Sequence, residues 1–328
     1  MTAQPLLKTE GLVKHFAIDA NPLARLFGRK PTSVQAVNNV SLHIARGETL
    51  GLIGESGCGK TTLGRSILRL QEPNSGRVTF DGTDVTALSA AALKAIRRRM
   101  QIVFQNPYAS LNPRRRIGQI VAQPLRLHRQ ANARQARDLA AAMLESVGLR
   151  SAHLDRYPHQ FSGGQRQRIG IARALILHPE FLVCDEPVSA LDVSIQAQVI
   201  DLLARLRRDL GLTYLFISHD IAVIAYLSDR VAVMYAGSIV ESGPTGSVLH
   251  APLHPYTQAL ISAVPRVDRT ERQQRIRLAG EPPSPIAPPS GCRFHPRCAM
   301  ATELCRRDEP LPRTAPGGRM VACHHAQV

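Results

Sequence analysis

The chain has 328 residues, 44% of them hydrophobic, with no tryptophan, 4% aromatic residues and a formal net charge of +16. That length and apolar content imply a large core and more than one domain and exclude a disordered chain, while the shortage of aromatic rings weighs against a stacking platform for single-stranded nucleic acid. No run approaches the roughly 18–20 apolar residues of a membrane span, and residues 1–10 lack the basic flank and apolar stretch of a signal peptide, so the reading is a cytoplasmic protein whose six cysteines stay reduced or bind metal.

The first clear element is Thr49-Leu-Gly-Leu-Ile-Gly54, a short apolar run that reads as a buried strand entering a loop. Helical spacing follows from Thr61 to Leu70, then a strand at Arg77–Phe80 closing in a turn. Residues from about 88 to 175 read as mainly helical, with Ala-rich Leu88–Ile96 and with Ala136–Val147 stopping at Gly148. Phe181–Asp185 and Thr213–Ser218 read as buried strands with an amphipathic helix, Ile195–Leu210, between them. That order implies a parallel sheet with crossover helices. Arg230–Gly243 reads as a hairpin. After about residue 250 the composition shifts. Glu281–Ser290 holds five prolines and should be an extended connector, and four of the six cysteines lie beyond it.

Three motifs carry chemistry. Gly54-Glu55-Ser56-Gly57-Cys58-Gly59-Lys60-Thr61, with Thr62 beyond it, lies between a strand and a helix. Its glycines let backbone N–H groups converge on phosphate oxygens, and the following helix turns its positive end to the same anion. Lys60 then reaches the outer phosphates, and the Thr61 hydroxyl suits Mg²⁺. Asp185 and Glu186 emerge at the carboxyl end of a strand, where open α/β sheets bind ligands. Asp185 suits a magnesium contact and Glu186 the orientation and deprotonation of a water. Ser162-Gly163-Gly164-Gln165 opens a further helix, with Ser162 a natural N-cap and the two glycines baring backbone N–H groups; a second anion-binding helix start is expected there, against the plainer reading of an ordinary helix entry.

Taken together and in order, these motifs resemble the nucleotide-binding subunit of ABC transporters. Gln105 in Val-Phe-Gln-Asn-Pro, Ser189-Ala-Leu-Asp192 and His219 in Ile-Ser-His-Asp complete the set, and the resemblance covers roughly residues 6 to 250. It implies an α/β P-loop NTPase fold of ABC type, with a mixed sheet core, an inserted helical subdomain at about 88–175 and a nucleotide-binding domain over 1–250. It further implies a head-to-tail dimer, with each ATP between one subunit's phosphate loop and Ser162–Gln165 of the other. On that resemblance Glu186, His219 and Gln105 are catalytic. Thr61, Gln105 and Asp185 serve Mg²⁺, Phe16 stacks on adenine, and Asp192 lies at the dimer contact. Phe16 has a plainer alternative as a core aromatic of an N-terminal strand.

The C-terminal part is similar to the oligopeptide/dipeptide branch of that family, on His254-Pro255-Tyr256-Thr257 through Pro265 and on Cys184–Gln196. His254-Pro255-Tyr256 is read as a helix entry with Pro255 in the first turn rather than as a metal ligand. Residues 251–328 then form an extension carrying Cys292, Cys298, Cys305 and Cys323. Four cysteines after a Pro-rich connector suggest a metal site. The resemblance implies a [4Fe–4S] cluster, with Zn²⁺ the alternative and free thiols a third option; His295, His324 and His325 lie nearby. Cys58, beside Lys60 at a helix start, reads as thiolate-prone.

The implied function is ATP hydrolysis driving uptake of di- or oligopeptides or a related solute. The implied partners are a second, related ABC ATPase subunit, two transmembrane permease subunits and, indirectly, a solute-binding protein, with no nucleic acid. The implied location is the cytoplasmic face of a bacterial inner membrane. Lys94–Arg137 holds eleven Lys and Arg and no Asp or Glu. It is expected to be either a solvated face or a surface for the permease or anionic lipid.

Overall fold

The computed structural model describes residues 4–18, 33–264 and 276–327. Its strands, in chain order, are β1 Leu7–Ala17, β2 Ser33–Ile44, β3 Thr49–Ile53, β4 Ser75–Phe80, β5 Thr83–Asp84, β6 Met100–Val103, β7 Phe181–Asp185, β8 Thr213–Ile217, β9 Arg230–Tyr235, β10 Ser238–Pro244, β11 Arg313–Ala315 and β12 Arg319–Val321. The described residues fall into two compact units. One comprises 44–49 and 87–218; the other comprises the described residues of 4–43, 50–86 and 219–327.

In the first unit β6, β7 and β8 pair in parallel, with Ile102 opposite Val183 and Val183 opposite Leu215. Every residue of β7 and β8 is buried, as expected of parallel strands covered on both faces, which read as continuous apolar runs. Between β6 and β7 the chain is helical. Helix Ala133–Ser146 begins at an Asn132–Gln135 capping box and buries Ala136, Ala140, Met143 and Leu144, one stripe at helical spacing. The region expected to be mainly helical thus holds a strand as well, β6, whose four residues are too few for a periodic signal.

Part of the basic stretch is neutralised inside this unit. Arg99 pairs with Glu180, and Arg137 (2.7 Å) and Arg116 (3.5 Å) share Asp155. Arg114 and Arg115 are exposed.

The second unit holds two sheets. β1 pairs antiparallel with β4, and β4 with β5, in the order β2-β1-β4-β5. The other sheet is mixed: β3 runs parallel to β9, with Leu52 opposite Ala232, while β10 runs antiparallel to β9 and to β12. The expected hairpin is β9–β10, turning at Ala236-Gly237, both at positive φ as tight two-residue hairpin turns require. The C-terminal segment adds β11 and β12 to this sheet, two three-residue strands that went unforeseen. The Pro-rich connector docks on β2, where the Pro285 carbonyl accepts the Gln35 N–H at 2.9 Å.

Candidate functional site

The phosphate loop leaves β3 and enters helix Lys60–Ile67. No side chain caps that helix; its N-cap is Gly59 at φ 108°, ψ 2°. A Cβ on Gly59 would overlap the Ala36 carbonyl oxygen, so backbone packing as well as φ demands glycine there. Gly57, at φ 79°, has no atom within 4 Å of where its Cβ would stand, so it leaves the loop's outer side open. Lys60 is 5% exposed and donates to the carbonyls of Gly54 (2.8 Å) and Glu55 (3.0 Å), with the Cys58 sulfur 3.8 Å away. The loop therefore wraps its own cation. Ser56 and Gly57 are exposed, and Thr61 and Thr62 half-buried.

Cys58 does not behave as its sequence position suggests. It is buried, and burial pushes its thiol above the ordinary range; the nearby Lys60 charge only partly offsets this. The expectation of a thiolate-prone cysteine fails because the sequence shows the lysine and not the desolvation.

At the end of β7, Asp185 is 1% exposed. Glu186 takes up left-handed backbone, φ 46°, uncommon for a residue with a Cβ and typical of functional sites. Two bonds hold it there: its N–H donates to the Ile217 carbonyl (3.0 Å), and its own carbonyl accepts the Ser189 hydroxyl (3.1 Å). The Gln105 Nε2 donates to Glu186 Oε2 at 2.7 Å. The structure thus joins two residues 81 positions apart that the motif reading had placed in one reaction.

The Ser162 start is built differently. The Ser162 hydroxyl accepts the Gln165 N–H (3.3 Å), and the Ser162 N–H donates to the Gln165 side chain (3.1 Å), a complete capping box. Ser162 is exposed, Gly163 half-buried and Gly164 buried. A Cβ on Gly164 would overlap the Ile195 side chain, so that glycine is demanded by a helix crossing. Asp192 is the N-cap residue of helix Val193–Leu210 without a side-chain cap bond. It is exposed, and beside it Val193 is 82% exposed.

In the second unit, Phe16 lies on β1, half-buried, with Lys14 Nζ 4.9 Å from its ring centroid. His219 is exposed. The helix entry expected at His254-Pro255-Tyr256 is present: the His254 Nδ1 accepts the Tyr256 N–H at 3.0 Å, with Pro255 the first residue of the helix. Sequence reading missed the residue beneath it. Glu241, fully buried, accepts the N–H groups of Leu253 (3.0 Å) and His254 (2.9 Å) and pairs with Arg319 at 2.7 Å.

The cluster expected at Cys292, Cys298, Cys305 and Cys323 is corrected by the structure. Among the described residues, no three His, Cys, Asp or Glu side chains are grouped to hold a metal ion, which removes both the [4Fe–4S] cluster and its zinc alternative. The Cys305 sulfur faces His325 Nε2 at 3.3 Å and the Thr302 hydroxyl at 3.6 Å. Burial pushes the Cys292 thiol up to about 11, with the charges of Cys305, Cys323 and Cys298 adding to the rise. Spacing brings cysteines near one another in the chain; it does not aim their sulfurs.

Two family models match the chain: ABC transporter over residues 37–189, and the C-terminal region of oligopeptide/dipeptide transporters over 240–305. The dipeptide transport ATP-binding protein DppF of Haemophilus influenzae is 48% identical over 98% of this chain and 97% of its own length. The putative oligopeptide transport ATP-binding protein YkfD of Bacillus subtilis is 50% identical over 99% and 96%. Among solved structures, the ATP-binding cassette MJ0796, a dimer bound to ADP and phosphate after hydrolysis, superposes with a TM-score of 0.64 at 28% identity, covering 73% of this chain and 98% of that one. With relatives this close along almost the whole length, the chain belongs to the ATP-hydrolysing, ATP-binding subunits of ABC transporters, in their oligopeptide/dipeptide branch.

Proposed function

We propose that this subunit powers import of di- or oligopeptides, or a closely related solute, with the residues above in the following roles. The loop Gly54–Thr61 with Thr62 binds the ATP phosphates, Lys60 contacts the outer ones, and Phe16 stacks on the adenine. Ser162–Gln165 of a second subunit closes over the nucleotide, with Asp192 at that contact. Residues 1–250 form the nucleotide-binding domain and 251–328 the extension. The second subunit is a related chain, the pair docks on two permease subunits fed by a solute-binding protein, and it sits at the cytoplasmic face of the inner membrane. Among the described residues no helix is long and apolar enough to cross a membrane.

The observation that carries the hydrolytic reading is the Gln105–Glu186 hydrogen bond. It fixes the direction of the carboxylate that is to meet the attacking water. Glu186 takes that water's proton as its oxygen bonds to the γ-phosphorus. The bond from phosphorus to the β–γ bridging oxygen breaks, and ADP and inorganic phosphate leave. His219 keeps water and phosphate in register. The Mg²⁺ that accompanies ATP would be held by Thr61, Gln105 and Asp185, and it screens the phosphate charge. The buried Asp185 carboxylate and the Thr61 hydroxyl are oxygen donors suited to it. The substrate class is supported by the names of the relatives and by the match over residues 240–305.

The test is Glu186→Gln in the assembled transporter. ATP should still bind, while turnover and uptake of a labelled dipeptide fall by about 10²–10⁴-fold, the usual worth of a general base. Normal turnover would remove Glu186 from this role, and brisk turnover of the unmutated complex without peptide uptake would remove the substrate class.

A further inference from the structure

The phosphate loop is held from outside at its second residue. The Glu55 N–H donates to the Tyr256 hydroxyl at 2.8 Å. The Glu55 carboxylate takes a two-pronged pair from Arg297, with Nη1 2.8 Å from Oε2 and Nη2 3.2 Å from Oε1. Both partners come from the C-terminal region, and Arg297 lies 242 positions away in the chain. The pair is largely out of water, the Arg297 side chain 7% exposed and that of Glu55 28%.

Arg297 is delivered to this place by a fixed support. It ends the single 3₁₀ turn His295–Arg297, between Cys292 and Cys298. Phe294, just before the turn, is 2% exposed and packs edge-on against Tyr235 with centroids 5.2 Å apart; Tyr235 in turn meets Tyr256 at 4.5 Å. Arg293 donates to the Ala236 carbonyl (2.6 Å) and to the Gln35 side chain (2.7 Å). Glu55 also connects inward, since its carbonyl accepts the Lys60 ammonium at 3.0 Å. One residue therefore receives the tail's arginine on its carboxylate and the loop's lysine on its main chain.

We propose that Arg297 is a positioning residue for the phosphate loop: through Glu55 it sets the loop conformation from which Lys60 meets the nucleotide, so the Cys292–Cys298 segment and the ATP site are energetically coupled. This rests on the reading that Gly54–Thr61 holds the ATP phosphates. A planar guanidinium suits the task because its fork fixes the carboxylate's orientation as well as its charge. Coupling acts both ways, so nucleotide binding must also tighten residues 292–298.

The experiment measures ATP affinity, kcat, and melting temperature for Arg297→Gln, Arg297→Lys, Glu55→Gln and the double variant Glu55→Gln/Arg297→Gln. Arg297→Gln should raise the ATP Kd about tenfold, within the usual span of coupling between sites, with kcat at saturating ATP changed less than about twofold. Arg297→Lys, which keeps charge and loses the fork, should fall between. The double variant should bind ATP no worse than the weaker single variant, because both remove one interaction. Hydrogen exchange across residues 292–298 should slow when ATP is added to the wild-type protein. An ATP Kd within about twofold of wild type in both Arg297→Lys and Glu55→Gln overturns the proposal, as do additive effects in the double variant. A fall in melting temperature with unchanged Kd also overturns it, leaving a merely structural bond. If Arg297→Gln does not fold, Glu55→Gln breaks the same pair from the loop side without touching the tail, and its ATP Kd decides between the same outcomes. Lys60→Ala separates the two readings. Normal ATP binding by Lys60→Ala removes the phosphate site itself, whereas its loss beside normal binding by the Arg297 variants removes only the coupling.

Discussion

Two helices of this chain begin at glycine-rich turns, Gly54–Lys60 and Ser162–Gln165, and they treat their first-turn amides in opposite ways. The helix at Lys60 has glycine as its N-cap and no capping side chain. The helix at Ser162 has a full capping box, each side chain satisfying the other residue's N–H. The glycines differ in kind as well. Gly59 sits at a left-handed φ with a carbonyl pressed against the place of its Cβ, whereas Gly164 is helical and makes room for Ile195 of a crossing helix. The first start is built around a cation and a backbone left without a side-chain cap, the arrangement an anion can use. The second is a self-sufficient helix entry whose Ser162 is exposed, on the surface proposed above to close over a second subunit's nucleotide.

The largest effect should come from the uncapped start. Lys60→Ala removes the only side-chain ammonium within the loop and should weaken ATP binding at least about 100-fold, the worth of a charge-assisted contact to phosphate. Titration calorimetry with ATP and Mg²⁺ measures it, and circular dichroism shows whether the fold survives. A variant that binds ATP like wild type would erase the contrast between the two starts.

The third helix start, at His254, sharpens the comparison by burying its cap. His254 is 1% exposed, and burial lowers its pKa to about 4. The unfolded chain therefore binds a proton near pH 6.5 that the folded chain refuses until about pH 4. Between those values stability rises with pH, by up to roughly 1.4 kcal/mol per unit from this one group, and it is lost as pH falls through the window. His254→Asn keeps a good N-cap and removes the titration, so denaturant melts between pH 4 and 6.5 should show a shallower slope. An unchanged slope would mean that His254 is protonated in the folded state.

How far the sequence could be read follows from the same contrast. The phosphate loop, the Ser162 cap and the Pro255 helix entry are local, each set by neighbours within a few positions, and their residues stand where their spacing put them. The strand before the loop and the two before Glu186 and His219 were legible as apolar runs because parallel strands are buried on both faces. What escaped is long-range. Glu55–Arg297 and Glu241–Arg319 join residues 242 and 78 positions apart, and no pattern in one stretch announces its partner in another. The cysteine segment was misread for the related reason that chain spacing does not fix side-chain direction, and among the described residues no three metal-ligating side chains are grouped. Between Cys292 and Cys298 lies Arg297, whose side chain reaches Glu55.

A smaller effect tests the packing role of the second start. Gly164→Ala places a methyl against the Cγ2 of Ile195, whose β-branched side chain has few rotamers to escape into. Overpacking of this kind costs about 1–3 kcal/mol. Gly57→Ala in the phosphate loop meets nothing within 4 Å and pays only for its positive φ, roughly 1 kcal/mol. Thermal melts should therefore rank Gly164→Ala below Gly57→Ala, and Ile195→Ala should rescue part of the loss in the double variant. The reverse ranking would put the strain in the loop rather than at the crossing.

The smallest effect separates the two jobs assigned to Ser162. As a cap it stabilises its helix by about 1 kcal/mol, so Ser162→Ala should lower stability by that amount and leave ATP binding to the isolated subunit unchanged. As part of the closing surface it should matter only when two subunits meet, so the same variant should slow ATP hydrolysis by the assembled pair. Ser162→Asp keeps the cap, since aspartate is as good an N-cap as serine, but it brings a negative charge to the surface that would face the partner's phosphates. The assembled pair should therefore lose more activity with Asp than with Ala, although the Asp variant is the more stable of the two. If activity follows stability instead, with Asp above Ala, Ser162 is a helix cap and nothing more, and the nucleotide is closed over by other groups.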